Sequence, residues 1–137
     1  MARDKIHDAI KVALQNDGWL VTDDPFYLKI GKIRIHIDLG GEKIFDAEKG
    51  TQKIAVEVKT FGNTSFITAL YEAVGKFIIY RKALEFLRPD RPLYLAIPED
   101  IYKKINKELI LNAVIVDEKI KLVLYNTDLQ KITSWIE

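Results

Sequence analysis

The sequence predicts an α/β domain with a mixed central β-sheet flanked by α-helices. Three observations carry this. Segments with helical apolar spacing take turns with segments of period-two alternation. The run Leu93–Ile97 is apolar throughout, which suits a strand covered on both faces. The 137 residues suffice for one core and not for two ordinary ones, so residues 1–137 are expected to form one domain.

Taken in order, Asp4 to Asn16 sets Ile6, Ala9, Ile10, Ala13 and Leu14 at helical spacing, and Gly18 is placed to stop that helix. Two short strands follow, Phe26 to Ile30 and Ile33 to Leu39, with Gly31-Lys32 as a tight turn. Gly40 to Gln52, which holds Glu42, Asp46 and Glu48, reads as a polar connection. A strand then runs from Ile54 to Thr60. Gly62-Asn63-Thr64-Ser65 supplies turn and N-cap chemistry for a long helix, whose buried stripe includes Phe66, Ala69, Leu70, Ala73, Phe77 and Leu84. Pro89 and Pro92 bracket its exit into the Leu93 strand. Pro98-Glu99-Asp100 opens another helix, carried by Ile101, Ile105 and Leu109. Strands are expected at Ala113 to Val116, Lys121 to Tyr125 and Lys131 to Ile136.

Composition says less about function than about class. The formal net charge is +1, so overall charge neither supports nor excludes a DNA substrate. Local basic clusters, Lys29-Lys32-Arg34-His36 and Lys76-Arg81-Lys82, read as solvated faces. The chain has no cysteine and two histidines, which removes disulfides, thiolate metal sites, a cysteine nucleophile and a histidine triad. No apolar run reaches membrane-spanning length and the N-terminus lacks a signal-peptide core, so no membrane partner and a cytoplasmic location are expected.

The chemistry concentrates in two segments, Ile33-Arg34-Ile35-His36-Ile37-Asp38 and Ile54-Ala55-Val56-Glu57-Val58-Lys59. In the second, Ile54, Val56 and Val58 face one way while Ala55, Glu57 and Lys59 face the other. Glu57 and Lys59 are then neighbours, roughly 7 Å apart at the strand rise. If the two strands pair as a hairpin, Asp38 joins them. Two carboxylates and an ammonium would converge as in a Mg²⁺-dependent phosphodiesterase site. Mg²⁺ prefers oxygen ligands and keeps several waters, so Asp38 and Glu57, with the Val58 carbonyl, would be enough to hold it on a phosphate. Lys59 would orient the attacking water or offset charge building on phosphorus. The bland alternative is an exposed sheet face with a Glu–Lys pair. A second acid-x-Lys run, Asp117-Glu118-Lys119, lies at a turn with no acidic strand before it and reads as solvated turn chemistry.

Asp38, with Glu57-x-Lys59 beginning nineteen positions further on, set between an opening helix and a long second helix, resembles the PD-(D/E)xK nuclease superfamily. The segment His7 to Trp19 is similar to the first helix of archaeal Holliday-junction resolvases. There a helical glutamate adds to the metal site; here His7 takes that position, with Asp8 beside it. The long helix has Lys76 where related nucleases often carry the glutamine of Gln-x-x-x-Tyr, and keeps Tyr80. A lysine can touch phosphate but cannot accept a hydrogen bond.

A narrower resemblance spans the whole chain. Asp4-x-x-His7, Asp17-Gly18-Trp19, Leu28-Lys29-Ile30-Gly31, Ile37-Asp38-Leu39-Gly40, Ile54 to Lys59, Leu93 to Pro98 and the ending Trp135-Ile136-Glu137 are similar to the XisH family. The resemblance implies a restriction-endonuclease-like fold and a role in controlling excision of a cyanobacterial DNA element. It implies DNA, an XisI-like protein and a site-specific recombinase as partners. Many nucleases of the superfamily dimerise to cut two strands, so a homo-oligomer is compatible with it. The catalytic set it implies is Asp38, Glu57 and Lys59 with Mg²⁺ or Mn²⁺, and His7, Asp8, Lys76 and Tyr80 form a second tier. Two rival readings stay open: a non-catalytic accessory protein on the same fold, and a nuclease toxin restrained by XisI. His36 and Glu42 could border the site or be ordinary polar positions, and Trp19 and Trp135 are expected to pack.

Overall fold

Apolar residues at Ala9, Ile10, Ala13 and Leu14 give helix α1 (Ala2–Asn16) one buried face. The helix ends where Gly18 takes φ 95° and the Trp19 N–H reaches back to the Leu14 carbonyl at 3.0 Å. The computed structural model describes residues 2–44, 51–62 and 65–137, with the side chains of residues 2–4, 41–44 and 51 left aside. Its strands are β1 (Leu20–Asp23), β2 (Phe26–Ile30), β3 (Ile33–Ile37), β4 (Leu39–Ile44), β5 (Thr51–Val58), β6 (Leu93–Pro98), β7 (Leu122–Asn126) and β8 (Lys131–Ile136). Its other helices are α2 (Phe66–Leu87), α3 (Glu99–Asn106) and α4 (Leu109–Asp117).

Six strands form a mixed sheet in the order β1-β4-β5-β6-β7-β8. The β5–β6 and β6–β7 pairs are parallel, and the β1–β4, β4–β5 and β7–β8 pairs antiparallel. Parallel neighbours need crossovers: α2 makes the first, and α3 with α4 makes the second. The central strand β6 is buried at Leu93 to Ile97, as its unbroken apolar run requires. Its alternate residues feed two cores. Leu93, Leu95 and Ile97 pack with Phe77 and Leu84 of α2. Tyr94 and Ala96 pack with Ile10 and Leu14 of α1. Each such fully buried large side chain contributes about 1.5–3 kcal/mol. Trp19 and Trp135 do meet, with ring centroids 5.7 Å apart.

The architecture corrects the sequence reading in several places. The segment expected as one strand from Ile33 to Leu39 divides at Asp38. Its first part, β3, pairs with β2 in a separate two-stranded sheet, and its continuation, β4, pairs with β5. The stretch from Gly40 was expected as connection, yet β4 runs to Ile44 and β5 begins at Thr51. Its glycines and charges hid the β4 ladder. Asp46 and Glu48 fall outside the described residues, as do Asn63, Thr64 and the side chain of Glu42. Strand β1 was not anticipated. The expected strand Ala113 to Val116 is helical, within α4, and Leu109 opens that helix instead of closing α3. Seven apolar residues among the nine of α4 give no periodic signal, and β-branched residues follow tertiary context over propensity.

Candidate functional site

The chain leaves the β2–β3 hairpin and enters the main sheet at Asp38. Ile37 belongs to the α2-side core and Leu39 to the α1-side core, so the backbone crosses between layers there. The β4–β5 register pairs Leu39 with Val56 and Gly40 with Ala55. One step further sets Asp38 level with Glu57. On β5, alternate N–H groups point to opposite edges. The Lys59 N–H donates to the Ala96 carbonyl on the β6 side at 3.0 Å. The Val58 N–H therefore points to the β4 side, where the strand has already turned away. The Asp38 carboxylate takes its place, accepting from Val58 N at 2.8 Å.

Ile54 and Val56 face α1, while Ala55 lies in the α2-side core, so the alternation read from sequence holds. Glu57 consequently opens towards α2. Asp38 and Glu57 are 7% and 8% exposed and are the buried charged side chains among the described residues. They line a cleft of about 200 Å³ together with His7, Val58, Lys59 and Lys76. The ammonium of Lys59 donates to Glu72 Oε2 of α2 at 2.9 Å. That hydrogen bond and the charge of Lys59 hold the Glu72 carboxyl below its usual range.

Glu72, Lys76 and Tyr80 recur every four residues and share one face of α2. Burial raises the Tyr80 phenol above its ordinary pKa, and the charges of Glu57 and Asp38 add to the effect, which places all three in one electrostatic neighbourhood. His7 reaches the cleft from α1, and its Nε2 lies 2.7 Å from Asp24 Oδ1. Lys11 donates to the other Asp24 oxygen at 3.0 Å. Asp8 is exposed and does not line the cleft. His36 sits on the β2–β3 hairpin against Tyr27, with ring centroids 6.2 Å apart, and also stays outside it. Sequence reading missed Glu72 and Asp24. The four-residue spacing to Lys76 could have pointed to the first, but no local signal pairs Asp24 with His7.

Among the described residues no three His, Asp or Glu side chains form a ready cation cage. The donor set still fits a hard divalent ion. Two buried carboxylates with an adjacent backbone carbonyl are all-oxygen donors, and Mg²⁺ completes its shell with water and substrate phosphate. Mn²⁺ suits the same oxygens.

Among the described residues, fold and cleft together define an α/β protein with a mixed six-stranded sheet, four helices and a buried carboxylate pair beside a lysine. A profile described as XisH protein matches residues 1–133, and the chain belongs to that family. A crystal structure of an fdxN element excision controlling factor protein from Anabaena variabilis is similar, with 36% identity and a TM-score of 0.88 over 98% of this chain and 99% of that one. An XisH family protein from Nostoc punctiforme PCC 73102 is 35% identical, also at TM-score 0.88, over 98% of this chain and 100% of that one. No curated protein matches the chain. Among the described residues no helix is long and apolar enough to cross a membrane.

Two stability outcomes follow from these contacts. Asp38→Ala strands the Val58 N–H and should cost about 1–3 kcal/mol in urea unfolding, whereas Asp38→Asn keeps an acceptor and should cost clearly less. Burial works to raise the Asp24 carboxyl pKa, but hydrogen bonds and charge from Lys11 and His7 outweigh it and leave the pKa lowered. A lowered folded pKa gives stability that is present above the unfolded value, 3.8, and lost as pH falls through the folded value. Asp24→Asn should therefore remove part of the stability lost below about pH 4, as read by thermal melts across an acid series.

Proposed function

We propose that this chain has a restriction-endonuclease-like fold and hydrolyses DNA phosphodiester bonds with Mg²⁺ or Mn²⁺ during excision of a DNA element. The observation that supports this most is the burial of Asp38 and Glu57 in one cleft with Lys59 on its wall. Two carboxylates side by side in one cleft form an all-oxygen donor pair, and a divalent cation bound between them would offset the cost of their burial. A bound metal would polarise the scissile phosphate and lower the pKa of a coordinated water.

The chain's own residues divide the remaining work. Asp38, Glu57 and the Val58 carbonyl would hold the cation, and the Val58 N–H keeps one Asp38 oxygen fixed. Lys59 exchanges Glu72 for a non-bridging phosphate oxygen and offsets charge developing there. Lys76, exposed at the rim, receives a flanking phosphate. Tyr80, held protonated beside the carboxylates, keeps its hydroxyl as a donor. His7, fixed by Asp24, borders the substrate without completing a three-residue cage.

The name of the Anabaena variabilis relative, an fdxN element excision controlling factor protein, favours a DNA element as substrate context. An XisI-like protein and a site-specific recombinase are proposed as partners on the family resemblance alone. One contact favours a second reading, an accessory protein that binds DNA or those partners without cutting. Lys59 is already neutralised by Glu72, as in an ion pair kept for structure.

Incubation of labelled duplex and branched DNA with Mn²⁺ or Mg²⁺ separates the two. The nuclease reading expects cleavage that falls on the order of 100-fold or more in Asp38→Asn and Glu57→Gln, with both variants still folded. Cleavage persisting in either variant contradicts the site assignment. DNA or partner binding without cleavage by the wild type supports the accessory reading.

A further inference from the structure

At the other end of the seam between α2 and the sheet lies a second cavity, of about 320 Å³. Four cations line it, Arg81, Arg91, Lys119 and Lys121, against one carboxylate, Glu85. Glu85 is already paired with Lys82 at 2.8 Å, and Arg91 lies 3.4 Å from Asp90 and 3.9 Å from Asp23. Among the described residues Arg81, Lys119 and Lys121 have no carboxylate within salt-bridge distance. The floor between them is apolar and includes Leu84 and Leu93.

Lys119 carries an independent signal. Helix α4 ends as α1 does: the Ile120 N–H returns to the Ile115 carbonyl at 3.0 Å and the Lys119 N–H to the Val116 carbonyl at 3.1 Å. In α1 the left-handed position of this motif is Gly18, at φ 95°. In α4 it is Lys119, at φ 52°, where a Cβ is disfavoured and glycine is the usual residue. Arg81 fastens the turn, its Nη1 donating to the carbonyls of Glu118 at 2.6 Å and Lys119 at 3.2 Å. Those bonds cover the negative end of the helix and hold the Lys119 backbone at the cavity wall.

We infer that this cavity binds a phosphate monoester carried on a small body with one flat apolar face, of the nucleoside monophosphate class. The Arg81 N–H groups not spent on the turn carbonyls and the ammonium of Lys119 match a dianion with three acceptor oxygens, while the Lys121 ammonium turns to the Tyr94 ring, 5.9 Å from its centroid. The apolar floor and the volume match a small-molecule pocket and not a groove tracking a duplex. The same group can come from a free nucleotide or from the 5′-phosphorylated end of a nucleic acid. The site is separate from the carboxylate cleft and does not depend on it.

Calorimetry on the full chain without added metal tests this, with thymidine monophosphate, thymidine and 5′-phosphorylated and unphosphorylated oligothymidine as probes. The monophosphate should bind and thymidine should not. Lys119→Gly should weaken binding by about tenfold, the loss of one charge-assisted contact. Lys119→Gly should also keep or raise the thermal midpoint, because glycine suits the turn, which separates lost binding from lost folding. Tighter binding of the phosphorylated oligonucleotide than of the monophosphate assigns the site to nucleic-acid ends; the reverse assigns it to free nucleotides. Equal affinity in wild type and Lys119→Gly, or no preference for phosphorylated probes, overturns the inference.

Discussion

The hydrogen bond from the Val58 N–H to the Asp38 carboxylate is the contact on which the cleft depends. It stands where a strand pairing would otherwise continue, at the point where the chain passes from the β2–β3 hairpin into the six-stranded sheet. An aspartate solves two problems there. It satisfies a strand N–H that the departing backbone leaves behind, and it brings a carboxylate level with Glu57. A non-polar residue could do neither, and an unsatisfied buried N–H is costly. The buried carboxylate pair is thus a consequence of how two sheets are joined.

Helix α2 supplies the opposite wall by a simple periodicity. Its inward stripe, Ala69, Ala73 and Phe77, packs on the sheet, and the small side chain of Ala73 leaves room at the cleft. The flanking stripe brings Glu72 and Lys76 to the rim, with Tyr80 half-buried behind. Glu72 occupies the Lys59 ammonium, so any anionic substrate has to compete with a carboxylate that is itself largely solvated. The pair is exposed on the Glu72 side, and such pairs are individually weak. The arrangement keeps Lys59 extended towards α2 in a pair that is readily exchanged.

The carboxylate pair is more legible in the sequence than the fold that holds it. Alternation along Ile54 to Lys59 correctly separates Glu57 from the α1-side core, because period two is fixed by backbone geometry. It could not say which strand lies alongside. Asp38 seemed to end a strand facing Glu57, whereas β3 pairs elsewhere and β4, rich in glycine and charge, makes the pairing. Helix α4 was hidden by uniform apolarity, since the choice between helix and strand there rests on what Leu111 and Ile115 meet in the tertiary structure. Asp24 and His7, seventeen residues apart, share no local pattern. Contacts of that kind follow from topology, which local periodicity does not encode.

Asp38 and Glu57 are proposed to hold a divalent cation between them. Titration of the wild type and Glu57→Gln with Mn²⁺ by calorimetry, with and without a DNA duplex, tests it most directly. A cation site built on this pair gives saturable binding by the wild type that disappears in the variant while its thermal midpoint stays close to wild type. Equal binding by both proteins, or none by the wild type even with DNA present, would contradict it.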